Sequence, residues 1–186
     1  TDWIEYTEQG VAEMASYCDN IYVIGISMGS VLALHLSSIF PLNAAVFAST
    51  VLKFKDPFSI HVLTPLFHRF LPFRDKRKSY PKNVRDKYNY LGYPVWPMSA
   101  VNEMRKLINQ VQKSLPAVKC PALVIHSTKD KLSISENISL VYENISSEIK
   151  EKLIVEQANH NLFVSNPDQD LIFQKITTFF NRFRGD

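Results

Sequence analysis

Four short, mostly apolar runs punctuate the chain: Ile21-Tyr22-Val23-Ile24, Ala44 to Ala48, Ala122-Leu123-Val124-Ile125-His126 and Lys152-Leu153-Ile154-Val155. They do not alternate apolar with polar positions, as a strand with one wet face does. Unbroken runs of this length predict strands buried on both faces, the condition of a parallel sheet held between layers of helix. Asp19-Asn20 supplies a turn before the first run and Pro121 opens the third. Elsewhere the apolar positions recur at helical spacing. Trp3, Tyr6, Val11, Met14 and Ala15 predict a helix from Asp2 to Tyr17, and Ser30 to Ile39 predicts an apolar helix closed by Pro41. Ser135 to Tyr142 reads as another. Leu171, Ile172, Ile176, Phe179, Phe180 and Phe183 mark a closing amphipathic helix from Asp168 to Arg184. Strand alternating with helix predicts an α/β fold, a mostly parallel sheet flanked by helices.

Leu52 to about Pro116 breaks this rhythm. The stretch is rich in proline and aromatics (Phe54, Phe58, Phe67, Phe70, Phe73, Tyr80, Tyr88, Tyr90, Tyr93, Trp96) and ends in a periodic helix, Met98 to Lys113. An ordinary crossover between parallel strands is far shorter, so 52–116 is expected to be an inserted cap between two halves of one core, 1–51 and 117–186. At 186 residues the chain holds one domain with a substantial core.

Composition narrows the function classes. With 46% hydrophobic and 21% charged residues the chain is globular, and a net charge of +3 does not describe a nucleic-acid binder. The local exception is Arg74 to Lys87, where seven basic residues (Arg74, Lys76, Arg77, Lys78, Lys82, Arg85, Lys87) outnumber Asp75 and Asp86. A solvated surface is the ordinary meaning of such a run, and contact between this basic, aromatic segment and a membrane surface is the alternative. The two cysteines, Cys18 and Cys120, lie far apart with no metal-ligand spacing, and no metal or organic cofactor is expected. Asn137-Ile-Ser139 and Asn144-Ile-Ser146 fit the glycosylation sequon, which matters only in an exported protein. No apolar run is long enough to span a bilayer and no leader opens the chain, so a reduced, cytoplasmic protein is expected. The opening Thr1-Asp2-Trp3-Ile4 reads as the middle of something longer.

The chemistry concentrates behind the predicted strands. Gly25-Ile26-Ser27-Met28-Gly29 matches G-x-S-x-G between a strand and a helix. A serine at such a sharp turn takes a strained backbone, small residues two before and two after relieve crowding, and the helix that follows aims its positive end at the hydroxyl. A serine hydroxyl needs a base, and histidine is the side chain with a suitable pKa. Of the five histidines, His35 lies inside the helix after the turn, His61 and His68 fall in the aromatic insertion, and His126 sits in a buried strand as a satisfied core residue. His160, in Gln157-Ala158-Asn159-His160-Asn161 just beyond the fourth strand, lies at the carboxyl edge of the sheet where sites form. Asp130 stands in the same relation to the third strand. Ser27, Asp130 and His160 are therefore the expected nucleophile, acid and base.

These segments together make the chain resemble the α/β-hydrolases of the carboxylesterase and monoacylglycerol-lipase type, over almost its whole length. The segments are the Gly25-to-Gly29 turn, the insertion, Pro121-Ala122-Leu123-Val124-Ile125-His126-Ser127 running to Asp130, and the His160 loop. The resemblance implies the same three roles and adds the backbone N–H of Met28 as one oxyanion donor. It also implies hydrolysis of a small ester, of short or medium acyl chain or a monoglyceride, through an acyl-enzyme. A thioesterase, amidase or acyltransferase on the same residues is the alternative within enzymes, and a non-catalytic binding protein on the same fold is the alternative outside them. Asn159 stands where the family commonly has Gly, and so does Ser30. The family's strands before the nucleophile, with the His-Gly sequence that often supplies a second oxyanion donor, have no counterpart here. Upstream sequence or a partner chain is expected to complete the sheet.

Overall fold

A computed structural model of the chain describes residues 2–75 and 93–185. Along the chain the elements are α1 (Asp2–Ala15), β1 (Tyr22–Ile26), α2 (Met28–Ile39), β2 (Ala44–Ala48), a π-helical turn at Ser59–Leu63, α3 (Thr64–Phe67) and β3 (Phe73–Asp75). There follow β4 (Val95–Pro97), α4 (Met98–Ser114), a 3-10 turn at Leu115–Ala117, β5 (Ala122–Ser127), α5 (Glu136–Asn144), β6 (Lys150–Val155) and α6 (Gln169–Asn181). They fall into two units, residues 1–55 with 108–186, and 56–107.

The first unit is built on one sheet of order β1-β2-β5-β6, parallel throughout. Its register pairs Ile26 with Ala48, Ala48 with Ile125 and Ser127 with Val155, so all four strands end at one rim. This is the α/β architecture that the unbroken apolar runs predict. Burial on both faces holds for the two central strands, β2 and β5, in which every residue is buried. The outer strands are wetter: Ile24 and Ile154 are about half exposed. β6 also starts two residues before its apolar run, at Lys150-Glu151. The charges there are held, because Glu151 bonds Lys175 at 2.6 Å and Arg182, and Lys150 Nζ donates to the carbonyls of Tyr142 and Ile145. Charged residues on an outer strand are one way a sheet edge is kept from pairing further.

One face of the sheet packs Ala44, Val46, Ala48, Leu123 and Ile125 against Ile172, Ile176 and Phe179 of α6. The same helix reaches β1, where Phe180 lies 4.9 Å from the Tyr22 ring and the Tyr22 hydroxyl donates to the Phe183 carbonyl. A second apolar cluster, Val11, Leu36 and Leu42, joins α1 to α2. Beside it His35 is buried and its Nε2 lies 2.6 Å from Glu8 Oε1.

The loop leaving β2 is fixed by one side chain. Asn137, fully buried at the start of α5, accepts at Oδ1 from the N–H groups of Leu52 and Lys53 and donates to the Lys53 carbonyl and Ser133 Oγ. That amide is therefore closed to glycosylation in the folded protein, whereas Asn144 of the other sequon is exposed.

The second unit holds two strands that the hydrophobic pattern did not reveal. β3 and β4 pair antiparallel, Phe73 with Pro97 and Asp75 with Val95. Strands of three residues carry no readable period. This unit, 56–107, is narrower than the 52–116 stretch marked out by composition. Leu52 and Lys53 are tied to Asn137, and Gln112 of α4 donates to the Leu52 carbonyl, so both ends of that stretch belong to the first unit. Of the basic run only Arg74 lies within the described residues. Lys76, Arg77, Lys78, Lys82, Arg85 and Lys87, with Tyr80, Tyr88 and Tyr90, lie outside them.

Replacing Asn137 by Ala removes the partner of two backbone N–H donors and a carbonyl, of which the Leu52 N–H is left unpaired in a buried site. Urea denaturation is expected to register a loss of about 3 kcal/mol, against less than about 0.5 kcal/mol for Asn144→Ala on the surface.

Candidate active site

The turn between β1 and α2 is dictated by sterics. Ser27 adopts φ 56° and ψ −119°, a conformation that non-glycine residues rarely take, and its N–H donates to the Ala48 carbonyl at 2.9 Å. A Cβ at Gly25 would lie 2.2 Å from the Gly29 carbonyl oxygen and 2.7 Å from Ser30 Cα, so position 25 admits only glycine. The expectation that both flanking glycines relieve crowding holds for one of them. A Cβ at Gly29 would meet nothing within 4 Å. It is the backbone of Gly29, not its missing side chain, that presses on position 25. Ser30 Oγ bonds Thr50 Oγ1 at 2.6 Å, both buried, and so fastens the first turn of α2 to the loop after β2.

Serine is a favoured helix N-cap because its side chain can accept from the first turn. Ser27 makes no such bond. Its Oγ lies 2.8 Å from His160 Nε2 instead, and His160 Nδ1 lies 2.8 Å from Asp130 Oδ2. The tautomer that satisfies both contacts donates its Nδ1 proton to Asp130 and leaves Nε2 to accept from the Ser27 hydroxyl. Ser27, Asp130 and His160, each placed just past a strand by the sequence, are thus brought together by the fold. Met28, the first residue of α2, has an N–H with no acceptor within the helix.

The Asp130 and His160 loops are held from behind. Asp130 Oδ1 accepts from the N–H groups of Leu132 and Ser133 at 2.8 and 2.9 Å. Asp168 Oδ2 accepts from those of Gln157 and Ala158 at 2.7 and 2.8 Å. Asp168 was legible only as the residue opening the last helix. Its carboxylate caps the His160 loop rather than that helix.

The Asp130 side chain is wholly shielded from solvent and that of His160 is 12% exposed. Burial pushes the Asp130 carboxyl up. The hydrogen bond and charge of His160, with the two backbone N–H groups, outweigh it and leave the carboxyl below the usual carboxylate range. His126 departs from the sequence expectation, because its buried Nε2 has no hydrogen-bond partner. Burial pulls its pKa down; the Asp130 charge opposes this and His160 adds to it. A neutral His126 leaves Asp130 to His160. His61 and His68 lie in the second unit. Among the described residues no group of His, Cys, Asp and Glu could hold a metal ion, and no helix is long and apolar enough to cross a membrane.

Comparison with known proteins matches this fold. A family model for the serine aminopeptidases of family S33 covers residues 1–167. The chain belongs to that family. A relative, the thermostable monoacylglycerol lipase of Bacillus sp. (strain H-257), is 27% identical over 99% of the chain and 72% of its own length. A structure reported for the metagenome-derived lipolytic enzymes LipS and LipT superposes with a TM-score of 0.82 at 24% identity, covering 97% of this chain and 73% of that one. The monoacylglycerol lipase of Paleococcus ferrophilus gives 0.79 at 15% identity, covering 97% and 74%. This S33 family member is a hydrolase of the α/β-hydrolase fold.

Two outcomes follow for the site. Gly25→Ala is expected to cost about 3 kcal/mol or to prevent folding, whereas Gly29→Ala, on a helix with open space, stays within about 1 kcal/mol of the parent in thermal unfolding. A carboxyl depressed in the folded state stabilises it above the unfolded pKa and loses that contribution as pH falls through the folded value. The stability gap between the parent protein and Asp130→Asn should therefore be full at pH 7 and close as pH drops below about 4.

Proposed function

We propose that the protein hydrolyses carboxylic esters, monoacylglycerols among them, with Ser27 as nucleophile, His160 as base and Asp130 as the acid that orients it. The observation that carries this reading is the pair of 2.8 Å contacts through which one imidazole joins a strained serine to a buried carboxylate. Ser27 Oγ attacks the ester carbonyl carbon while its proton passes to His160 Nε2, and Asp130 steadies the imidazolium. The Met28 N–H, at the positive end of α2, donates to the oxyanion. Collapse breaks the bond to the alcohol, whose oxygen takes the proton from Nε2, and the acyl group stays on Ser27. Water then attacks the acyl-enzyme, giving its proton to Nε2, and the departing Ser27 oxygen recovers it as the acid is released.

The monoacylglycerol-lipase relative supports an ester as the substrate. We read the part of the 52–116 stretch that forms the second unit, 56–107, as the cap of the hydrolase. Among the described residues β1 pairs on one side only. A further strand on its outer side is the proposed source of the second oxyanion donor. The description of the matching family favours a second reading, removal of amino-terminal residues from peptides by the same acyl transfer.

A panel of p-nitrophenyl esters, monoacylglycerols and aminoacyl p-nitroanilides, offered to the full-length polypeptide, separates the readings. Ester turnover that falls about 10³-fold or more in Ser27→Ala and His160→Ala is expected. Cleavage of the anilides in preference to every ester establishes the second reading, and full turnover by both variants ends the proposal.

A further inference from the structure

Among the described residues two non-glycine side chains have positive φ, Ser27 at 56° and Ser49 at 44°. They are neighbours. Ser27 follows Ile26 at the end of β1, Ser49 follows Ala48 at the end of β2, and Ile26 and Ala48 are partners in the sheet. The ladder continues past both strands, because the Ser27 N–H donates to the Ala48 carbonyl and the Ser49 N–H to the Ile125 carbonyl, each at 2.9 Å. His160 bonds both serines. Its Nε2 lies 2.8 Å from Ser27 Oγ, and its backbone carbonyl accepts from Ser49 Oγ at 2.9 Å.

The third strand in the row adds a second hydroxyl bond to the same loop, without the left-handed backbone. Ser127, the last residue of β5, donates its hydroxyl to the Ala158 carbonyl and accepts from the Lys129 N–H at 3.1 Å. The His160 loop is thus gripped on two carbonyls, 158 and 160, by hydroxyls from two adjacent strand ends. Ser49 is wholly buried and Ser127 nearly so. A left-handed backbone at a serine is strain without local return, since glycine takes that conformation freely. At Ser49 the return is the bond to His160: the left-handed turn presents both the N–H and the hydroxyl to neighbouring chain.

We infer that Ser49, assisted by Ser127, is a positioning residue that fixes the His160 imidazole between Ser27 and Asp130 by holding the backbone of residue 160. The inference rests on the proposed esterase reading. The hydroxyl does not touch substrate. It removes the freedom of the loop to rotate the ring away from Ser27, and misplacement of a base by a fraction of an ångström is costly to proton transfer.

The test compares Ser49→Gly and Ser49→Ala in the full-length protein. Glycine removes the hydroxyl and relaxes the backbone; alanine removes the hydroxyl and keeps the strain. Turnover is expressed per site titrated with a fluorophosphonate, so that unfolded molecules do not count. Both variants should lose about ten- to a hundredfold in kcat with KM held within about twofold, while Ser49→Gly melts within about 4 °C of the parent. Retention of the parent kcat by Ser49→Gly overturns the inference, whether or not Ser49→Ala is impaired, and so does a loss expressed in KM alone. A parent protein that takes no fluorophosphonate, or a Ser27→Ala variant that still turns over ester, overturns the esterase reading and this inference together. A labelled parent beside a silent Ser27→Ala leaves the Ser49 variants to decide.

Discussion

One imidazole has to reach two partners from opposite edges. His160 is within 2.8 Å of both Ser27 Oγ and Asp130 Oδ2, and each of the three residues arrives on a different strand-end loop. That demand constrains the rest of the first unit. The strands have to be parallel, or their carboxyl ends would not share a rim. They also have to be in register, because a slip of one residue in β1 would move Ser27 along the strand axis, off the rim, by roughly 3.3 Å, more than a hydrogen bond tolerates.

The sheet interior supplies the rigidity. β2 and β5 are buried along their whole length, and Ala158 and Leu162, on either side of His160, belong to the same core as Phe179 of α6. The His160 loop is therefore anchored in the packed interior at two points, while Gln157, Asn159 and Asn161 face solvent. Polar groups at the rim are paired in the same spirit. Ser133 links Asp130 to Asn137, Asn137 holds the loop after β2, and Thr50 in that loop bonds Ser30 in the first turn after Ser27. Removing one partner from such a chain leaves another buried and unpaired, so these positions are expected to be costly to change. His126 is the exception, with its Nε2 unpartnered, and burial holds it neutral beside Asp130.

The sheet was legible because burial on both faces writes itself as runs such as Ala44 to Ala48, which the structure bounds at the same residues. The turn at Ser27 was legible because its steric demand falls on a residue type, glycine at position 25. Asp130 and His160 were legible because each follows an apolar run directly. What could not be read is made by contacts distant in sequence. Ser49 is one serine among many until the fold puts its hydroxyl 111 residues away on the His160 carbonyl. Asp168 looks like a helix cap, and the choice of the His160 loop as its partner is tertiary. The β3–β4 pair is too short for any period, and the requirement assigned to Gly29 came from its symmetry with Gly25 about Ser27, a symmetry that the backbone lacks.

The central claim is that the hydroxyl of Ser27 is made nucleophilic by His160 alone among the histidines. Peptide mapping by mass spectrometry, after brief treatment of the full-length protein with a fluorophosphonate, tests it directly. The account predicts a phosphonyl group on the peptide carrying Ser27, absent when His160 is replaced by Ala and present when His35 or His68 is. An adduct on any other serine, or one on Ser27 that forms as fast without His160, would contradict it.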